Sequence, residues 1–563
     1  MSIMKNKIFR QLLLAFFVAT GLSSCSDNYM EEMNTDDIKA DFINPNAQLT
    51  TAQLQTYGDL NIACFYRNYI DAFTQHFMGT WGTTNYGGRH LEDNSQTSVA
   101  WERFYAYPLK NLTDGITNSS GPAAVNINAA LRIYRVYIMS LVTDIYGDVP
   151  YFEAGRGFTD GIFTPKYDRQ EDIYNDFFKE LAEAVEQFAP AGDKISGDLI
   201  YGGDLNKWKK FANSLRLRFA MRISDVSPEK AAGEFQAALA ADGGVFTSSA
   251  DNALVKHIET AFSFSGEAYN DYRGNALSHH RYGADPTNNP TYVCSTLFNL
   301  LRDTGDPRTF IICRNYYDGL MTLTAPENRI DLTQEMLDNG IPFEPRDPGA
   351  YSWEPWPAGY TSPMLTAMAE TNPAIDPILY REVEPKLATN FLMGDNPGVI
   401  ITYPEVEFLL AEAALKGWTA DGASIETHYR NGVRAAMDFL TSSYGCRTVD
   451  DEEFEAYMAA NAIGYTSEKK KESINTQAWI LHLTNGLEGW ANIRRSGYPR
   501  LKSGAEYGFA QYMTGGNDIP VRLCYPTVES SYNKASYDEA VGRVSGYSWH
   551  TPVWWDVDKQ SEQ

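Results

Sequence analysis

The sequence predicts a mostly α-helical protein with a large, loop-rich irregular region set into it. Three observations predict this. Apolar residues recur at helical spacing in segment after segment. Several of these segments are bounded by residues that start or stop helices. Between Gly243 and Gly398 the texture changes to Gly, Pro, Asn, Asp and aromatics, with only short helical stretches, as around Thr291 to Leu301.

In chain order, Lys5, Lys7 and Arg10 precede an apolar run from Leu12 to Leu22. At about eleven residues the run suits a signal peptide and is too short to span a bilayer as a helix. Small residues in Leu22-Ser23-Ser24-Cys25 fit signal cleavage, and a cysteine at the cut point resembles a bacterial lipobox. Residues 1–24 are therefore expected to be a lipoprotein signal peptide, with Cys25 lipidated as the new N-terminus. Residues 25–40 read as an acidic tether: Ser26-Asp27-Asn28-Tyr29-Met30-Glu31-Glu32 is followed by Asp36 and Asp37. Acidic residues there resemble the surface-export signal of Bacteroides-type lipoproteins. No other segment reaches the roughly 18 apolar residues of a membrane span, so the lipid is the expected anchor. Residues 41–563 read as one domain, with the loop-rich insertion at about 243–398.

Asn128 to Ile145 carries Leu131, Tyr134, Ile138, Leu141, Val142 and Ile145 at helical spacing, with Gly147 as its stop. Asp168 and Glu171 have capping-box spacing, ahead of Tyr174, Phe177, Phe178, Leu181, Val185 and Phe188. Lys207 to Ile223 repeats the pattern through Trp208, Phe211, Leu215 and Phe219, with Arg216, Arg218 and Arg222 opposite. Pro404 opens a further helix at its tolerated first turn, and Gly417 ends it. Thr427 to Leu440 is helical again. Small-residue stretches such as Ala411-Glu412-Ala413-Ala414-Leu415 allow close helix approach and read like the antiparallel pairs of a tetratricopeptide-type array. No clean period of about 34 residues is present, so any repeat is degenerate.

Composition excludes several classes. The 563 residues carry a formal net charge of −25, and loss of the signal would remove three basic residues and no acidic ones. Nucleic-acid binding needs a concentrated basic face, and the densest basic run, Lys469-Lys470-Lys471, is followed by Glu472. Beyond Cys25, Cys64, Cys294, Cys313, Cys446 and Cys524 are widely spaced with no CxxC pair. They fit neither a zinc site nor a disulfide framework; buried free thiols are expected, with a single bridge as the alternative.

An ordered set of motifs then resembles one family. The motifs are Asp144-Ile145-Tyr146-Gly147-Asp148-Val149-Pro150-Tyr151, Asp168-Arg169-Gln170-Glu171-Asp172-Ile173-Tyr174, Asp204 with Trp208 to Arg218, and Ile401 to Ala414. Gly489-Trp490, Arg494 to Pro499, Ile519 to Arg522, Tyr525-Pro526 and Trp554-Trp555-Asp556 complete the set. Together they resemble the SusD/RagB family of nutrient-binding outer-membrane lipoproteins. The resemblance implies tetratricopeptide-like helix pairs in a right-handed superhelical scaffold, with a loop-rich ligand-binding region. It implies capture of a nutrient, usually an oligosaccharide or polysaccharide, at the outer membrane. Delivery would be to a SusC-like TonB-dependent transporter, the expected partner. Peptides or another nutrient remain the alternative. No cofactor is implied.

The motif residues read as structure. Arg216, Arg218, Arg494 and Arg495 lie among helical apolar residues and are expected to pair with buried acids such as Glu405, Glu407, Glu412 or Asp144. Trp554 and Trp555 read as core or transporter-facing packing rather than a sugar platform. Ligand contacts are expected from exposed aromatics on stiff loops, because a ring matches the apolar face of a sugar at low entropic cost. Polar neighbours then bond the hydroxyl rim, charged ones most strongly. The loop Gly79 to His90 offers Trp81, Asn85, Tyr86 and Arg89 among glycines that permit tight turns. Tyr351 to Tyr360 offers Trp353, Trp356 and Tyr360 on a proline-stiffened stretch. Tyr269-Asn270-Asp271-Tyr272-Arg273 is a weaker third cluster.

Other classes fare worse. A glycan-degrading enzyme needs two placed carboxylates, and with 72 acids nearness in sequence means nothing. No GxSxG, HExxH or phosphate loop is present. A structural surface protein would show repeated β-sandwich modules, which helical periods oppose. Asp303-Thr304-Gly305-Asp306 has oxygen ligands for calcium, but a helix cap or ion pair explains it more simply. His279 and His280 point apart on helix or strand, which disfavours a shared metal.

Overall fold

In the computed structural model the described residues are 43–78, 83, 85–260, 271–281, 291–318, 329–331, 333–338, 385–418 and 422–557. Cys25 and the acidic tether lie outside them. The chain from Pro45 onward forms one unit; of the unit ending at Asn44, only Ile43 and Asn44 are described.

The main helices are α1 (Pro45–Gly58), α2 (Leu60–Phe65), α3 (Lys110–Asn118), α4 (Val125–Tyr146), α5 (Gln170–Gln187), α6 (Leu205–Arg222) and α7 (Pro228–Ala240). After the irregular region, which holds the short α8 (Ser295–Asp303), come α9 (Tyr403–Leu415), α10 (Ile425–Tyr444), α11 (Ser467–Leu481) and α12 (Gly486–Ser496). Consecutive helices pack on one another: α4 on α5, α5 on α6, α6 on α7, α9 on α10 and α11 on α12. This pairwise stacking is the mostly α, tetratricopeptide-like scaffold the sequence predicts.

Local chemistry sets the ends. Asp193 accepts the Asn126 and Ile127 N–H groups at 2.8 and 3.0 Å, covering the start of α4. Gly147, at φ 84°, ends that helix as predicted. The predicted capping box of Asp168 and Glu171 does not form. Arg169 holds the N-cap position without a side-chain bond. Asp168 instead accepts the Tyr151 and Phe152 N–H groups, both at 2.9 Å, and Asp148 accepts the Gln170 N–H. A tertiary contact thus replaces the local one.

Two large apolar clusters make most of the core, beside a small one of Ala72, Met78 and Cys294. One gathers α1 to α7 with the C-terminal Trp549, Val553 and Trp555. The other surrounds α8, α10 and α11. Helix α9 joins them, giving Val406, Leu410 and Ala413 to the first and Phe408 and Ala411 to the second. Its approach to α10 requires Gly432: a Cβ there would lie 2.6 Å from the Phe408 ring.

The structure also contains strands that the sequence reading did not assign, most of them in the irregular region. β1 (Phe77–Met78), β3 (Tyr292–Val293), β7 (Lys386–Leu387) and β4 (Cys313–Arg314) form a sheet in the order β1-β3-β7-β4. β2 (Ala253–Val255) pairs with β8 (Gly398–Ile401), and β5 (Tyr316–Asp318) with β6 (Arg329–Asp331). Strands this short carry no readable alternation. The five cysteines among the described residues are free thiols. No helix among the described residues is long and apolar enough to cross a membrane.

The motif arginines hold the scaffold together. Arg218 donates to Glu405 at 2.6 and 2.8 Å, and Arg495 to both Glu412 oxygens at 2.7 Å. Arg222 bonds Glu488 at 2.6 Å and lies 3.3 Å from Asp144. Arg494 reaches the Asp144 main-chain carbonyl at 2.7 Å rather than its carboxylate, and Arg216 pairs with Glu234 rather than with a predicted acid. Arg216, Arg218 and Arg222 are all buried, because α6 is covered on every side from Phe211 onward. Trp555 is fully buried and donates its Nε1–H to Asp144 at 2.8 Å, which confirms packing for this ring. Burial works to raise the Glu412 carboxyl, but the Arg495 guanidinium outweighs it and holds the group at about 2.

Candidate ligand-binding site

The early glycine-rich loop leaves the end of a helical run that starts with α2. Asp59 caps that run, accepting the Asn61 and Ile62 N–H groups at 2.8 and 3.2 Å. The helix loosens to a π turn over Tyr66–Ile70, retightens over Asp71–Phe73, and reverses at Gln75. Gln75 has φ 52°, a left-handed backbone that costs a non-glycine residue energy unless its surroundings hold it. They do: Gln75 Nε2 donates to the Lys502 carbonyl at 2.7 Å, and Oε1 accepts from Thr296 Oγ1 at 2.7 Å. His76 then stacks on Trp479 at 4.5 Å, and β1 enters the small sheet.

The returning stem is held by the same C-terminal segment. The Arg89 carbonyl accepts the Thr514 N–H at 2.9 Å, and His90 Nδ1 bonds the Gly516 carbonyl at 2.8 Å. A Cβ at Gly515 would lie 1.7 Å from the His90 carbonyl oxygen, so only glycine permits this seating. Burial pushes the His90 ring down to about 4, so it is neutral near pH 7. Gly87 lies against the helix backbone, where a Cβ would come within 2.6 Å of the Asn68 carbonyl. Tyr86 is half-buried, its ring 5.9 Å from that of Tyr69, and Asn85 and Arg89 are also half-buried.

Both stems thus rest on residues 502–516. This segment brings its own rings: Tyr512 is 42% exposed, 6.5 Å from Phe509 and 5.9 Å from the Arg89 guanidinium. The sequence reading did not single it out. Its signal was available: Tyr507, Phe509 and Tyr512 alternate with Gly504, Gly508, Gly515 and Gly516, the make-up used to choose the early loop.

Trp81, Trp353, Trp356 and Tyr360 lie outside the described residues. The structure therefore brings together Asn85, Tyr86 and Arg89 of the predicted set. In the third cluster, Tyr269 and Asn270 also lie outside. Asp271 pairs with Arg273 at 2.6 Å, and the Tyr272 backbone packs on Gly58, where a Cβ would lie 2.3 Å from its carbonyl oxygen. That packing is structural. Asp306 accepts two bonds from buried Arg308, at 2.9 and 2.5 Å, the ion pair preferred above to calcium.

One group of metal-capable side chains is present among the described residues: Glu405, His482 and Glu488, with ligand atoms within 4.8 Å of one another. Arg218 and Arg222 already bond both carboxylates, so their positive charge opposes a cation there. A groove of about 810 Å³ opens where the ends of α6, α9, α11 and α12 meet. Its charges are mutually engaged, with Lys416 on Asp225 and the Tyr498 hydroxyl on Glu468, and its lining presents no pair of ring faces.

A family model described as starch-binding and associating with the outer membrane matches residues 39–322 and 360–526. The chain belongs to this SusD-like family. A SusD-like structure from Bacteroidetes AC2a is 46% identical, with a TM-score of 0.85 over 92% of this chain and 100% of that one. A structure described as a chitin-binding protein is 34% identical, with a TM-score of 0.74 and the same coverage of both chains. A SusD homologue from Bacteroides uniformis, at 24% identity and a TM-score of 0.66, shares the fold over 92% of this chain and 100% of that one. No curated protein matches the chain. SusD-like proteins are outer-membrane-associated nutrient-binding proteins and not enzymes. The buried acids of this SusD-like chain accordingly serve its arginines, and its rings are the groups to consider for a ligand.

Proposed function

We propose that this chain is a cell-surface lipoprotein, anchored through Cys25, that captures an oligosaccharide or polysaccharide. It delivers the ligand to a SusC-like TonB-dependent outer-membrane transporter. The observation that carries the reading is the double seating of the early loop. Main-chain and side-chain bonds hold both stems, so Tyr86 and Arg89 need little further ordering when a ligand arrives. The family's description as starch-binding and the 34%-identical relative's as chitin-binding support a glycan. Trp81, between those stems in sequence, is the expected stacking ring, and Trp353, Trp356 and Tyr360 are the expected second set.

The test is binding of the purified full chain to plant, fungal and host glycans, with tryptic peptides alongside. Saturable binding to one glycan class is expected, reduced at least tenfold in Trp81→Ala or Tyr86→Ala with the melting temperature kept. Binding to peptides alone would move the chain to peptide capture. A solubilised outer membrane that yields no stoichiometric barrel protein with the chain would remove the transporter from the reading.

A further inference from the structure

We propose that the pocket between the end of α10 and residues 389–396 is a second, separate glycan subsite, which holds neutral sugar units by their hydroxyl groups. Its lining includes no residue of the early loop. The inference rests on the glycan reading above and adds a contact region and a selectivity to it.

The pocket follows from how α10 ends. Gly445, at φ 62°, turns the chain out of the helix, and carbonyls at a helix end need partners from elsewhere. Asn390 supplies them: its Nδ2 donates to the Tyr444 carbonyl at 3.0 Å and to the Gly445 carbonyl at 3.3 Å. Asn396 in turn donates its Nδ2 to the Asn390 carbonyl at 2.9 Å. A carbonyl only accepts, so both amides must spend their NH₂ groups on these bonds. Each Oδ1 is thereby turned away from them, and no donor among the described residues bonds either one. Asn390 is half-buried and Asn396 is 5% exposed, yet both line the pocket, so an oriented acceptor is what each presents there. Thr389 and Ser443 add hydroxyls and Asp395 a carboxylate, none with a hydrogen-bond partner among the described residues.

This set of groups asks for a ligand rich in donors. Two amide oxygens and a carboxylate only accept, while the two hydroxyls can donate or accept. A sugar unit matches it, because each ring hydroxyl gives one proton and takes another. The bond to Asp395 is the strongest on offer, being charge-assisted. A carboxylate or sulfate on the ligand would meet that charge with its own, and no lining side chain is cationic. The subsite therefore selects neutral glycans. A divalent cation would use the same oxygens, but one carboxylate is few for a calcium site. The volume of about 370 Å³ lies instead in the range of small-molecule pockets. With hydrogen bonds rather than exposed rings to hold a ligand, the subsite is weak for one sugar unit and gains most on a chain that is also held elsewhere.

The experiment follows hydrogen exchange of the full chain titrated with chitohexaose, maltohexaose, a hexagalacturonate or calcium chloride. It compares wild type with Asp395→Ala, Ser443→Leu and Tyr86→Ala, each checked by thermal melt. In wild type a neutral hexamer at twice its Kd for the pocket should slow exchange in peptides covering 389–396 and 441–446 by about threefold. Asp395→Ala should weaken binding at the pocket by about tenfold, the loss of one charge-assisted bond, and Ser443→Leu should block it by filling the space. Both should leave protection of residues 85–90 unchanged, and Tyr86→Ala should do the reverse. Protection at 85–90 with none at 389–396 would overturn this inference and leave the glycan reading standing. So would protection at 389–396 that survives both pocket variants. Protection there by calcium chloride alone, or by the hexagalacturonate in preference to a neutral hexamer, would overturn the assignment to neutral sugars. A wild-type chain protected nowhere by either neutral hexamer, and binding no glycan of the panel above, would overturn the glycan reading and this subsite with it.

Discussion

The scaffold and the early-loop face use the same residue types in opposite ways. In the scaffold, Arg218, Arg222 and Arg495 are buried and each meets a carboxylate, while Trp555 lies fully inside. At the loop face, Arg89, Tyr86 and Tyr507 are half-buried and Tyr512 is exposed; main-chain contacts and glycines do much of the holding. The difference teaches how to read arginine and aromatic residues in this chain. A guanidinium inside a helix bundle must have a partner, so it fixes the fold. Rings on a loop whose backbone is already held are the ones the proposed function assigns to a ligand.

The largest effect that would sharpen the comparison comes from Arg495→Ala. It leaves the Glu412 carboxylate buried without its two 2.7 Å bonds, beside Asn475 and Asn492. Breaking such a pair from one side costs about 3–5 kcal/mol. Urea denaturation should show that loss, while the molecules still folded keep wild-type glycan affinity. An unchanged midpoint would break the contrast at its strongest point.

Gly432→Ala should come next. The new methyl would overlap the Phe408 ring at the α9–α10 contact, and overpacking of this kind costs about 1–3 kcal/mol. Phe408→Leu in the same chain should recover part of it, since neighbouring substitutions couple. If the double variant were no more stable than the sum of the singles predicts, the close helix approach would not be what glycine provides.

These scaffold positions were legible in the sequence because helices repeat. Leu131 to Ile145 and Trp208 to Phe219 showed their period, Gly147 and Pro404 marked ends, and buried partners for Arg218 and Arg495 followed from their apolar neighbours. Arg216 and Arg494 found other partners because sequence does not tell which acid lies across a contact, nor whether a carbonyl will serve instead. The capping box at Asp168 failed for the same reason: a distant segment competed for its carboxylate. At the candidate site, composition pointed to the early loop. It missed residues 502–516, which lie more than 400 positions away in the chain and meet that loop only through bonds such as Gln75 to Lys502. Nothing local announces such a meeting, and strands of two or three residues leave no alternation to find.

The smallest effect concerns pH and asks which region yields first. Burial holds His90 and His257 down at about 4 and His482 at about 3, against about 6.5 in an unfolded chain. Below pH 6.5 the unfolded state therefore binds more protons, and stability falls as pH drops toward 4, by up to about 1.4 kcal/mol per pH unit for each ring. Glu412 works in a lower window: its contribution is complete above about 4.5 and is lost as pH falls toward 2. Between pH 6.5 and 4.5 the histidines act without it. His482 lies in the scaffold, where opening requires breaking the core, whereas His90 sits in a loop stem that can open alone. Hydrogen exchange, corrected for its intrinsic pH dependence, should therefore show the Thr514 amide, bonded to the Arg89 carbonyl, losing protection by up to about tenfold per pH unit. The Ile138 amide in α4 should retain far higher protection across that window. Loss of protection at both sites to the same free energy would mean that the loop stem opens only with the whole fold, and that the two regions are one cooperative structure.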